Sequence, residues 1–285
     1  MIDTTVPMTA SALPLLSWRS VARECTRYLP VWFVYLSGIG LLHASLANFP
    51  QEGFDALGLS RMDFVPTVLF PMAWVAVFMG LRIRNSARLR APWMAWAGLA
   101  GLVLGVPAII VAFHRPHVLT HEQLTVLFEA SQFAWVGVMM LAILVGRGRH
   151  QLVLFFGVTF VYGLVLENTG IAMHFFFEPS FQVYLKPLVA PLCTMLGWCI
   201  VFYVTIAMVQ QLAEWVPWLA RSVTRRAVAT TLLALSLDAQ LDPLASLSGV
   251  FWRWNELLPP GFLGVPWLNF AAWLGAFLPY AWFVG

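Results

Sequence analysis

Long apolar stretches alternate with short polar connections along the whole chain. Eight of them, over residues 28–47, 64–81, 92–113, 124–145, 152–175, 187–210, 227–245 and 267–284, approach the length a bilayer requires. At a rise of about 1.5 Å per residue, about 20 residues cross the hydrocarbon core. The apolar runs are continuous, whereas the strands of a membrane barrel alternate polar and apolar positions. The predicted fold is an all-α, polytopic transmembrane bundle of about eight spans, forming a single integral-membrane domain over residues 1–285. No connection is long enough for a soluble domain, and no internal repeat is visible. The longest connection, residues 246–266, is rich in Trp, Leu and Pro and is expected to lie along the interface or re-enter. The opening segment has neither a basic start nor a long enough apolar run for a signal peptide, so insertion is expected to rest on the spans themselves.

Composition narrows the class. Residues are 60% hydrophobic, 15% aromatic and only 10% charged, with a mean hydropathy of +0.79; a soluble domain is about a quarter charged. The formal charge is +3, and the basic residues sit between spans, so they read as topology signals and not as a nucleic-acid footprint. Arg19, Arg23, Arg27, Arg82, Arg84, Arg88, Arg90, Arg147, Arg149, Arg221, Arg225 and Arg226 fall on one predicted side. Arg61, Arg115, Lys186 and Arg253 fall on the other. Positive residues favour the cytoplasmic side, which predicts a multi-pass membrane protein with both termini there. Three cysteines, with Cys193 and Cys199 inside a span, imply no disulfide framework.

The acids distribute the other way. Glu52, Asp55, Asp63, Glu122, Glu178 and Glu256 fall in or beside outer connections, while Glu129, Glu167, Asp238 and Asp242 lie within spans or at their outer ends. Ionisable groups in spans are rare and face a cavity or a partner. An acid-lined chamber in the outer half of the bundle accounts for them; the plainer account is that the outer connections simply lack bases.

Asp238 and Asp242 are four residues apart, on one helix face about one turn from each other. Two close carboxylates disfavour joint ionisation, and burial acts the same way, which makes a proton donor available for general-acid chemistry. The plainer reading is that Asp242 marks a helix end with Pro243 as its stop. Glu167 and His174 fall two turns apart on one face, with Gly170 between them, where a small residue admits a substrate or a neighbouring helix. Glu129 and Gln132 either extend the chamber or bond a neighbouring helix. His114, His117 and His121 with Glu122 invite a metal reading, but Pro116 interrupts them and no H-E-x-x-H motif supports it, so no metal site is assigned. A D-x-x-x-D pair alone, with few bases near it, is a weak match to the diphosphate motifs of membrane prenyltransferases. The aromatic residues Phe251, Trp252, Trp254, Phe262, Trp267, Phe270 and Trp273 serve either as an interfacial belt or as the lining of a polyene site able to face a carbocation.

Asp238-x3-Asp242-Pro243, Trp252-x-Trp254 and Gly264-Val265-Pro266-x2-Asn269-Phe270-x2-Trp273 follow one another in order. This string resembles the carotenoid-biosynthesis membrane-protein family, which includes hydratases of C50 bacterioruberin precursors and of γ-carotene. Glu167-x2-Gly170 and the run of Pro187, Leu188, Pro191, Leu192 and Trp198 fit the same pattern. The resemblance covers about residues 160–275. Where the family tends to carry Pro-Phe-Gly-x-Tyr and Asn-Phe-x-Gly-Trp, this chain has Ala172-Met173-His174-Phe175-Phe176 and Asn269-Phe270-Ala271-Ala272-Trp273.

The resemblance implies a hydratase that adds water to a terminal double bond of an acyclic carotenoid dissolved in the membrane lipid. Other carotenoid enzymes would be its partners, nucleic acid would not, and no cofactor is implied, because hydration changes no oxidation state. On this reading Asp242 and Asp238 supply the proton and Glu167 directs the water, with Asn269 or His174 assisting. Trp252 or Trp254 faces the cation, and Trp273 completes the substrate wall. The alternatives are a polyene or lipid carrier or scaffold that needs no acids together, and, third, a prenyltransferase-like enzyme. At about 1.5 Å per residue Glu167, Asp238 and Asp242 lie about 18–24 Å from the inner face, which predicts that they and Asn269 line one cavity under Trp252 and Trp254. Reporters fused in the connections 82–90 and 246–266 are expected to report opposite sides of the membrane; reporters on the same side would overturn the arrangement.

Overall fold

The computed structural model describes residues 46, 49–84, 100, 119–247, 249, 251–259 and 261–284. The chain is mostly helical. The described helices are α1 (Gln51–Leu57), α2 (Val65–Arg84), α3 (His121–Arg147), α4 (Arg149–Ala172), α5 (Leu192–Ala213), α6 (Pro217–Ala220), α7 (Val223–Leu247) and α8 (Trp267–Val284), with a 3-10 turn at Arg61–Phe64 and two short strands, β1 (Phe176–Phe177) and β2 (Arg253–Trp254). By length and composition α3, α4, α5 and α8 can cross a membrane. Helices α2 and α7 occupy two more of the apolar stretches. The stretches at 28–47 and 92–113, with His114 and His117, lie outside the described residues, apart from Leu46 and Ala100.

Local chemistry sets where several helices begin and end. Thr120 caps α3 reciprocally: its Oγ1 accepts from the Gln123 amide at 3.2 Å, while its own N–H donates to Gln123 Oε1 at 2.9 Å. Gly148, at φ 83°, ends α3 and starts α4 directly, a positive-φ conformation that glycine alone adopts freely. Pro191 precedes α5, where a missing N–H costs nothing. Pro243 does not stop α7 as the plainer sequence reading held; the helix runs through it to Leu247.

Helix α5 is the central element. It packs against α3, α4 and α7, and α7 packs in turn against α2 and α8. Cys199, Ile200, Phe202, Met208 and Val209 on α5 are buried, and Phe202 stacks on Phe277 of α8 at 4.3 Å. The α4–α5 approach depends on Gly163, where a methyl group would stand 2.6 Å from the Met195 carbonyl oxygen and 2.8 Å from Trp198 Cβ. Small residues let membrane helices approach this closely.

At one end of the bundle the connections fold inward over the helix ends. Asn168 of α4 accepts from the Val189 and Ala190 amides at 2.8 and 3.1 Å, which ties the α4–α5 connection to α4. Strands β1 and β2 pair antiparallel, with Phe176 opposite Trp254. The connection expected to hug the interface or re-enter is therefore pinned across the bundle end, with Phe251 fully buried and Trp252 and Trp254 turned inward.

Candidate functional site

The inward-facing polar residues meet at that same end. Asn269, in the first turn of α8, points its side-chain amide at α7. Its Nδ2 donates to Asp238 Oδ1 and Oδ2 at 2.9 and 3.0 Å and to Asp242 Oδ2 at 2.6 Å. Both carboxyls are buried. One turn of α7 separates them, as their spacing predicts, so a single amide reaches both.

A cavity of about 370 Å³ opens beside this cluster. Asp242 and Asn269 line it from α7 and α8, Glu167 from α4, and Trp252 and Trp254 from the folded connection; Trp273 forms part of the wall and lies 4.9 Å from the Trp198 ring. Two expectations need correction. Asp238 is not among the lining residues: it lies one turn earlier on α7 than Asp242 and meets the cavity wall through its hydrogen bonds with Asn269. His174 does not share a helix face with Glu167. Helix α4 ends at Ala172, so His174 falls beyond it, at φ 57°, with its side chain exposed and its carbonyl accepting from Asn255 Nδ2 at 2.8 Å. Gly170 lines the cavity, as a small residue beside a pocket can, and the ring it admits is that of Phe176, which a side chain there would strike.

Glu167 is held by α5, where the Trp198 indole N–H donates to its Oε1. Its Oε2 and the Trp254 Nε1 have no hydrogen-bond partner among the described residues. One is an acceptor and the other a donor, both on residues of the cavity wall, and buried polar atoms are ordinarily paired. Gln132 also lines the cavity, whereas Glu129 accepts the Gln182 and Val183 amides at 3.3 and 2.9 Å and so anchors the α4–α5 connection.

By its place in the sequence Glu178 is one acid of an outer connection. It lines the cavity, buried, with Thr194 Oγ1 donating to its Oε2 at 3.1 Å. Burial first, then the charge of Glu167, hold its carboxyl well above the usual carboxylate range, against the lowering effect of the Thr194 hydroxyl. Nothing in the sequence pattern signalled this, because loop acids are normally solvated. No Lys, Arg or His is among the described residues lining the cavity. No group of three or more His, Cys, Asp or Glu side chains among the described residues could hold a metal ion.

Helices long and apolar enough to cross a membrane, with carboxyls and indoles gathered on one pocket among them, define a helical membrane protein. The family model for carotenoid biosynthesis proteins matches residues 124–283, more than half of the chain and all of the cavity wall, and the chain belongs to that family. Its role is in carotenoid biosynthesis. The match reaches further toward the N-terminus than the motifs at 160–275, taking in α3. No curated protein and no solved structure matches the chain.

Replacing Asn269 by Leu keeps the bulk but strips both carboxyls of their shared donor. Stability should fall by about 1–3 kcal/mol, read as a lower unfolding temperature in detergent. The loss should shrink when Asp238→Asn and Asp242→Asn are already present; a loss of equal size in that background would show that the amide acts elsewhere.

Proposed function

We propose that the protein is a carotenoid hydratase that adds water across a terminal trisubstituted double bond of an acyclic end group. The observation that carries this reading is the placement of two carboxyls from separate helices, Asp242 and Glu167, on one apolar cavity walled by Trp252, Trp254 and Trp273. Protonating an alkene needs a strong acid held against carbon, and the resulting cation needs a water delivered to it. Asp242 carries the proton, and Asp238 and Asn269 hold it in position. The proton goes to the less substituted carbon, leaving a tertiary cation beside Trp252 or Trp254, whose ring faces attract positive charge.

Glu167 is suited to the second half of the reaction. With Oε1 held by Trp198, its buried Oε2 has no hydrogen-bond partner among the described residues, and a directed water would supply one. As water bonds to the cation, Glu167 takes the proton it loses, and the tertiary alcohol forms. The Trp254 N–H is complementary to the new hydroxyl. The substrate is a polyene dissolved in the bilayer, reaching the cavity from the lipid. The prenyltransferase alternative needs basic groups to hold a diphosphate, and the described cavity wall supplies no Lys, Arg or His.

Expression in a host that makes lycopene is expected to yield pigment heavier by one or two waters. Asp242→Asn should lower hydration by about 10²–10⁴-fold while the protein still inserts, because the amide keeps the shape but delivers no acidic proton. Unchanged pigment with several acyclic carotenes would instead favour the carrier, and near-normal turnover of the Asn variant would remove Asp242 from the mechanism.

A further inference from the structure

Each turnover on the reading above leaves the site unbalanced. Asp242 has given its proton to carbon, and Glu167 has taken one from water. A second turnover requires a proton to pass from Glu167 to Asp242 through a cavity whose walls are largely apolar. Glu178 is the third carboxyl on that wall, and the proposed reaction does not use it.

Its position is set by α5. Thr194 holds Glu178 and Trp198 holds Glu167. These two residues are four apart, hence on one helix face with a rise of about 6 Å between them. One helix therefore presents the two glutamates as successive steps, from different parts of the chain: Glu167 from the end of α4 and Glu178 from the connection that follows β1. Asp242 lines the same cavity from α7, and Glu178 is near enough for the charges of both Glu167 and Asp242 to act on it. Burial and those two charges favour the protonated form of its carboxyl, the form that can pass a proton on.

We propose that Glu178 is the proton relay that resets the site, carrying the proton from Glu167 back to Asp242 after each hydration. The proposal rests on the hydratase reading. In the reset, the Glu178 O–H bond breaks as its proton passes across the cavity to the Asp242 carboxylate, forming a new O–H bond there. The Glu167 O–H bond then breaks as its proton passes to Glu178. Glu178 ends as it began, Asp242 is reloaded and Glu167 is again a carboxylate. Nothing is oxidised or reduced, and over the full cycle only water and alkene are consumed.

The test separates one turnover from many. Glu178→Gln keeps the side-chain shape and an oxygen for the Thr194 hydroxyl, but cannot relay a proton. With detergent-purified protein in excess over an acyclic carotene, the variant should form hydrated product within about twofold of the unmodified rate. With carotene in excess, its rate after the first turnover should fall by about 10²-fold. Thr194→Val, which loosens Glu178 without touching its carboxyl, should show the same split more weakly, and it carries the test if the Gln variant does not accumulate. Equal loss in both regimes, or no loss in either, would overturn the relay while leaving the hydratase intact. No hydrated product from the unmodified protein would overturn the hydratase reading and the relay with it.

Discussion

The side-chain amide of Asn269 is the contact on which the rest of the site depends. Two N–H groups are all that a primary amide can donate, and here they serve two carboxyls one turn apart on the neighbouring helix. In a bundle surrounded by hydrocarbon, an acid left without a partner would be costly. The amide meets that need without supplying a positive charge, and it holds both acids in place. An arginine in its place would fix Asp242 as a permanent carboxylate.

A second consequence is a division of labour between two residues of the same type. Asp242 lines the cavity, while Asp238, one turn earlier on α7, does not. The facing side is organised by α5, whose Thr194 and Trp198 each hold one glutamate. The site is thus assembled from α4, α5, α7, α8 and two connections. Its aromatic side chains have two duties. Trp198 binds Glu167 and packs against Trp273, while Trp252 and Trp254 close the cavity from a connection pinned by the β1–β2 pairing.

Much of this was legible in the sequence because membrane helices obey simple rules. Continuous apolar runs mark the described long helices, and counting at a fixed rise puts Glu167, Asp238, Asp242 and Asn269 in one layer, of which all but Asp238 line the cavity. What failed were features that periodicity does not encode. His174 lies two turns from Glu167 by arithmetic, but the helix ends first. Pro243 looked like a terminator, yet α7 continues through it. Glu178 resembled an ordinary loop acid, because burial of a connection depends on distant anchors: Glu129 at Gln182 and Val183, Asn168 at Val189 and Ala190, and the strand pairing with Trp254. Each is a contact across a long stretch of chain, and none follows from local spacing.

The central claim is that the cavity adds water to carbon through a proton from Asp242. It is tested most directly by tracing the origin of the new hydroxyl. Pigment formed in water enriched in the heavy oxygen isotope should carry one heavy oxygen for every hydroxyl gained, and pigment formed under heavy molecular oxygen in ordinary water should carry none. A hydroxyl whose oxygen comes from molecular oxygen would contradict the account, because it would make the chemistry an oxidation that neither carboxyl performs.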